Sequence, residues 1–223
     1  MDIGSAFTFM FDDQDWIKKI AIGGGITLAA AILSPILIGL VLFLPISGYM
    51  LETLKNVRDG RAVPLPEWSD FGNLFSKGLM VFVIGLVYSI PAILLYCITF
   101  GAQFAMQQAN SDISGMLGAL VACLGCLQFL FGLLAGALLP AGLIRYAESN
   151  SLGSAFQFGE IFSFISSNIG DYIIVVLLSW VAQFVAAFGV ILCIIGIFFT
   201  GFWAFLVTGN LYGQLARKAG GEM

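Results

Sequence analysis

Cys123 and Cys126 form a CLGC motif, the spacing used by a redox pair or by half of a metal site. The rest of either site is missing. The motif lies in an apolar run with no other ligand type beside it, and the chain contains no histidine, which removes the commonest metal ligand and general base. Small apolar side chains are the preferred reading of both cysteines, and Cys97 and Cys193 stand alone in other apolar runs. Asp171, in NIGDY, has no second aspartate in any apolar run with which to form an acid dyad, and Asn168 stands where a GxGD motif has its first glycine. Glu52, Asp59, Glu67 and Asp70 crowd one polar loop. They can form a cation or docking site, but solvated loop charges are the ordinary case. No catalytic, cofactor-binding or metal-ligating residue is assigned, no cofactor is expected, and the chain is read as a non-enzyme.

The elements that carry these residues are set by the solvent around them. Hydrophobic residues make up 60% of the chain, charged residues 10%, and the mean hydropathy is +1.00, whereas about a quarter of the residues of a soluble domain are charged. An integral membrane protein follows. The stretches 20–51, 78–111, 113–144 and 172–216 carry no charge, and roughly 20 helical residues cross a bilayer once. They lack the alternation of a membrane barrel, so the spans are helical. The first stretch suits either one long tilted helix or a hairpin. Ser34-Pro35 at its centre favours a turn, and a hairpin puts all nine Lys and Arg on one side of the membrane. Six spans are preferred over five: Ile17–Leu33, Ile36–Thr53, Gly78–Phe104, Ser114–Ala141, Tyr172–Ile191 and Gly196–Gln214, with Pro91 kinking the third. The fold class is therefore an all-α, polytopic transmembrane bundle, residues 1–223 forming a single membrane domain with both termini cytoplasmic.

The hexamer GSAFTF at 4–9 returns as GSAFQF at 153–158. Each copy precedes a short amphipathic segment and then two spans. In the first segment Ile3, Phe7, Met10 and Phe11 share a helical face; in the second Phe158, Ile161, Phe162, Ile165 and Ile169 do so, with Glu160, Ser163, Ser166 and Ser167 opposite. Such helices lie in the membrane interface, and Trp16 and Tyr172 follow as interfacial aromatics. A loose internal repeat, with units 4–104 and 153–218, and a lead-in common to many membrane proteins are both open.

Between the second and third spans lies GYMLETLKNVRDGRAVPLPEWSDFGNLFSKGL, Gly48 to Leu79. Gly60 is placed to end a helix, Pro64 and Pro66 enforce an extended crossing, and Ser69 or Asp70 caps the next helix. In that helix Phe71, Leu74, Phe75 and Leu79 share a face. Lys55, Arg58, Arg61 and Lys77, together with Trp68, are expected to contact lipid headgroups.

Within the membrane only small and neutral polar residues remain. Gly132 and Gly136 make a GxxxG, continued by Gly118, Ala122 and Cys126, which marks the fourth span as a packing or oligomer seam. Gln128 and Gln183 near mid-span, with Gln103 and Tyr96 nearer an end, are either structural hydrogen-bonding groups or a polar path.

Several stretches carry a family resemblance. The GY exit helix, LPEWSDFGNLFSKGL, IPAILLY, AFQFGEIFSFISSNIGDY and TGFWAFLVTGNLYGQLAR resemble the prokaryotic membrane family catalogued as domain of unknown function 4013. The resemblance covers essentially the whole chain. It implies a multi-spanning protein of a bacterial or archaeal plasma membrane and transfers no catalytic or ligand residue. Two functions stay open: a non-catalytic scaffold or accessory subunit of a membrane assembly, and a channel or facilitator for a neutral or lipid-like solute. Expected partners are membrane lipids and either further copies of the chain or other membrane proteins, and not nucleic acid.

Overall fold

The computed structural model describes residues 1–36, 38–108, 111–191 and 195–221, which leaves Cys193 outside. The described residues form α1 (Ile3–Thr8), α2 (Trp16–Ile32), α3 (Ile38–Arg58), α4 (Phe71–Met106), α5 (Ser111–Ser149), α6 (Phe158–Ser167), α7 (Ile169–Ala187) and α8 (Gly196–Gly221), joined in part by 3-10 turns, with no strand among them. Four helical stretches are long and apolar enough to cross a membrane: Ile38–Arg58, Phe71–Met106, Ile113–Ser149 and Ile169–Ile191. α2 has 17 residues, a rise of about 25 Å against a hydrocarbon core of about 30 Å. α8 is long but carries Thr208, Asn210 and Gln214. The chain divides into two compact units, one formed by Met1–Val83 with Pro140–Met223 and the other by Ile84–Leu139.

The first unit is built around α8, which packs on α2, α3 and α7. Almost all of its residues from Leu206 to Ala216 are buried, so neighbouring helices rather than lipid surround its hydroxyl and amide groups. Bare backbone allows the close approach. A Cβ at Gly209 would stand 2.7 Å from the Met50 carbonyl oxygen of α3, and one at Gly213 would stand 2.6 Å from that of Leu54. The rings of Phe202 and Phe199 lie where side chains of Gly23 and Gly24 in α2 would be. α3 crosses the start of α4 the same way: a Cβ at Gly48 would overlap the Leu74 carbonyl, and one at Gly78 that of Leu44. An apolar cluster of Phe9, Met10, Ile46, Tyr49, Leu65, Leu74, Phe202 and Leu206 fills the centre.

Ion pairs and polar contacts show which helix ends meet. Lys19 near the start of α2 reaches Glu67 just before α4, and Lys77 near the start of α4 pairs with Glu52 near the end of α3. Arg58 at the end of α3 donates to the Ala147 carbonyl near the end of α5, and Lys218 near the end of α8 pairs with Asp171 at the start of α7. The gathered ends of α2, α3, α4, α5, α7 and α8 thus alternate start, end, start, end, start, end along the chain.

Several local expectations hold. The helix breaks at Ser34–Ile36, and Gly39 then lies against the Ala30 carbonyl, so α3 doubles back along α2. Asp70 caps α4, its Oδ1 accepting the Asn73 N–H at 3.3 Å. The amphipathic lead-in forms α6, but it stops at Asn168, so Ile169 opens α7 instead of extending the apolar face. Other expectations are corrected. The chain tightens into a 3-10 turn at Phe9–Asp12, which rotates the buried face of the N-terminal segment to Ala6, Phe9 and Met10 and leaves Ile3 and Phe11 exposed. At the start of α4 only Leu74 and Gly78 are buried, because the Gly48–Gly78 crossing faces α3 and turns Phe71 and Leu79 outward. Tyr172 is buried, and its hydroxyl accepts the Ala141 N–H at 3.2 Å beside Pro140, where the helical ladder loses a donor.

In the second unit, Ile84–Leu139, α4 continues through Pro91 and ends in a turn at Gln107–Gln108, and the Ser114 hydroxyl donates to the Met106 carbonyl at 3.2 Å. None of the apolar window of α5 is buried. Leu94, Phe100, Phe104, Phe129 and Leu130 are all more than half exposed. Apolar surface this extensive marks contact with a membrane or another protein.

Candidate functional site

The segment VPLPEW, 63–68, is strapped onto α2 and α3. Prolines offer no N–H, so the segment cannot join a backbone ladder and its carbonyls need donors from elsewhere. Three consecutive ones receive a buried side chain each: Asn56 Nδ2 donates to Pro64 O at 2.8 Å, Lys19 Nζ to Leu65 O at 3.3 Å, and the Tyr49 hydroxyl to Pro66 O at 2.7 Å. Trp68 closes the strap. Its ring stacks on Tyr49 at 4.5 Å between centroids and its Nε1 donates to Lys19 O at 3.1 Å. Lys19 Nζ also pairs with Asp13 at 2.7 Å and Glu67 at 2.5 Å, and the Lys19 and Asp13 side chains are only 5% and 7% exposed.

The residues expected at lipid headgroups are thereby sorted. Trp68 is held inward by Tyr49 and Phe202. Lys55 bonds Asn150 Oδ1 and lies over the Tyr146 ring, Arg58 binds Asp59 and the Ala147 carbonyl, and Lys77 binds Glu52. Arg61 alone of the five is exposed with no side-chain partner among the described residues. The four loop acids are occupied as well: Glu52 by Lys77, Asp59 by Arg58, Glu67 by Lys19, and Asp70 by its cap. No group of three His, Cys, Asp or Glu able to hold a metal ion occurs among the described residues.

Arg61 borders a cavity of about 540 Å³. α3 delivers it there through a paired C-terminal cap in which Gly60 N–H bonds Val57 O and Arg61 N–H bonds Asn56 O, each at 3.0 Å. This cap needs a left-handed residue, and Gly60 has φ +71°. α8 supplies the facing wall. Asn210, Gln214 and Arg217 follow at i, i+4 and i+7, one side of a helix, and all three line the cavity together with Asp2 and Asp12. That spacing in an otherwise apolar helix is the signal by which sequence reasoning could have found them. A second cavity, of about 460 Å³, is lined by Arg145, Glu148, Glu160, Ser163 and Asn168, and there Arg145 is paired with both glutamates.

In the second unit the proposed seam is open. A Cβ at Gly132 or Gly136 would meet nothing within 4 Å, Ala122 is exposed, and a Cβ at Gly118 would touch only the Met106 methyl. Cys123 and Cys126 are free, exposed thiols on the same helix. Gln103, Gln183 and Tyr96 are exposed and Gln128 is half-buried, and none of the four lines either cavity.

The family described as "Protein of unknown function (DUF4013)" matches residues 31–197. The chain belongs to the DUF4013 family. No curated protein and no solved structure matches it. The DUF4013 match runs from the end of α2 into the start of α8. It includes the strap, the cap that presents Arg61 and the whole second unit. The α8 wall of the larger cavity lies beyond the DUF4013 match.

Proposed function

We propose that this DUF4013 protein is a non-catalytic plasma-membrane subunit that crosses the bilayer six times, with both termini cytoplasmic, and associates with further copies through α5. One observation carries the association. Gly118, Ala122, Gly132 and Gly136 form a small-residue stripe with Gln128 at its edge, Gly132 and Gly136 face open space, and the Gln128 amide has no partner among the described residues. Helices in lipid associate through small residues and interhelical amide bonds, because lipid supplies no hydrophobic drive between them. A mid-span amide left unpaired in hydrocarbon is unfavourable; a second copy supplies its partner, and such interhelical bonds contribute about 0.6 kcal/mol on average.

The alternation of helix ends in the first unit supports six crossings, since every basic residue then sits on one side. Each GSAF copy lies in a short helical turn ahead of a packed helix pair, α2 with α3 and α7 with α8, and α3 packs on α8. This pattern favours an internal repeat with units 4–104 and 153–218. A solute path through Gln103, Gln128, Gln183 and Tyr96 draws support from neither cavity.

Energy transfer between copies labelled at Ser69→Cys, in a variant stripped of native thiols, tests the association. Transfer should persist at lipid dilutions where randomly mixed copies show none. Gly132→Ile with Gly136→Ile should abolish it without shifting the melting temperature, and Gln128→Leu should weaken it by only about 0.6 kcal/mol, roughly threefold. Random-level transfer in the parent protein removes the proposal.

A further inference from the structure

We propose that the cavity between Arg61 and Arg217 binds a single phosphate group, carried either by a lipid headgroup or by free phosphate. The proposal does not rest on association through α5. Of the nine basic residues, Lys19, Lys55, Arg58, Lys77, Arg145 and Lys218 have a carboxylate, amide or carbonyl partner. Lys18, Arg61 and Arg217 have none among the described residues. Two of these three line the same cavity, of about 540 Å³. That is within the range of small-ligand sites, about 300 to 1,000 Å³.

The surroundings fit this ligand. Arg217 Nη1 lies 3.6 Å from where a Cβ of Gly60 would be, so the second guanidinium stands beside the turn that delivers Arg61. At the wall, Gln214 Nε2 donates to Asn210 Oδ1 at 2.8 Å and to Asp2 O at 2.9 Å, and its Oε1 accepts the Asp2 N–H at 2.7 Å. That network fixes the Asn210 amide with its oxygen occupied, leaving Nδ2 as a donor without a partner among the described residues, on a residue only 4% exposed. Guanidinium groups bind phosphate through paired N–H donors, and a carboxamide N–H adds a third contact.

Two acids limit the charge the cavity accepts. Asp2 is engaged in capping α1, its Oδ1 accepting the Ser5 N–H at 2.9 Å, and Asp12 lies exposed at the rim. Neither forms an ion pair with Arg61 or Arg217. Their charges oppose a polyphosphate and favour one phosphodiester or one phosphate.

The full chain, purified in detergent and freed of bound lipid, tests this with three probes: inorganic phosphate, short-chain phosphatidylglycerol, and the matching short-chain diacylglycerol without phosphate. Native mass spectrometry and thermal melting should show one phosphate-bearing molecule per chain and no equivalent binding of diacylglycerol. Binding of phosphatidylglycerol alone identifies a headgroup site; binding of both phosphate probes identifies a site that free phosphate satisfies. Arg61→Gln with Arg217→Gln should lower the affinity at least about tenfold, as expected for losing charge-assisted bonds. Lys18→Gln, which removes the third unpaired base away from the cavity, should not. If the Gln pair lowers the ligand-free melting temperature, Arg61→Lys with Arg217→Lys decides, since it keeps the charge and loses the paired donors, and should bind with intermediate affinity. The proposal is overturned if neither phosphate probe exceeds diacylglycerol, if Lys18→Gln weakens binding as much as the double variant, or if the Lys pair binds like the parent.

Discussion

Lys19 shows how this chain handles a charge taken out of water. Its ammonium is held by Asp13, Glu67 and the Leu65 carbonyl, and a buried ion is tolerated only when such partners replace its hydration. Asp13 depends on that arrangement, because it is buried too and Lys19 is the only cation paired with it among the described residues. Lys19→Met should therefore destabilise the protein by about 3 to 5 kcal/mol by stranding the Asp13 carboxylate. Lys19→Met combined with Asp13→Asn should recover much of that, since Asn retains an oxygen for the Asp15 N–H bond seen at 2.8 Å. Denaturant melts of the three proteins in detergent check this; equal losses in the single and double variants would show that the pair is not coupled. The sequence presents Lys19 merely as one of two lysines at the edge of an apolar run. Its partners lie 6 and 48 positions away along the chain, beyond the reach of any local pattern.

Among the elements, glycines do two different jobs that look alike in the sequence. Gly48, Gly78, Gly209 and Gly213 admit a neighbouring backbone inside the first unit, whereas Gly132 and Gly136 face open space. Gly78→Ala should cost at least about 1 to 3 kcal/mol, the usual penalty of overpacking, because its methyl would run into the rigid Leu44 carbonyl rather than a movable side chain. Gly132→Ala should leave the melting temperature unchanged. A comparison of detergent melts checks both, and equal shifts would erase the distinction. The GxxxG spacing is legible at 132–136, whereas the same spacing at 209–213 is masked by the polar residues that α8 also carries. Breaks and caps are local. Ser34-Pro35, Gly60 and Asp70 act through their own backbone or cap, so each could be placed without knowing what packs where. The face of the N-terminal segment, the inward turn of Trp68 and the burial of Tyr172 depend on tertiary neighbours and could not.

For the whole molecule, the decisive arrangement is the charged end of the first unit, where the ends of α2, α3, α4, α5, α7 and α8 alternate in direction along the chain. In the proposed topology the strap, the ion pairs and the cavity of about 540 Å³ are expected on the cytoplasmic side, and the turn at Gln107–Gln108 is expected on the other. The measurement that tests this most directly is cysteine accessibility in intact cells and inverted vesicles, using single-cysteine variants at Gln14, Ser69, Ser166 and Gln108, all exposed, in a chain with Cys97, Cys123, Cys126 and Cys193 replaced. Gln14→Cys, Ser69→Cys and Ser166→Cys should react with a membrane-impermeant thiol reagent only from the cytoplasmic side, and Gln108→Cys only from the outside. Labelling of Gln14→Cys from the side opposite Ser69→Cys would contradict the hairpin at Ser34–Pro35 and with it the six-crossing arrangement.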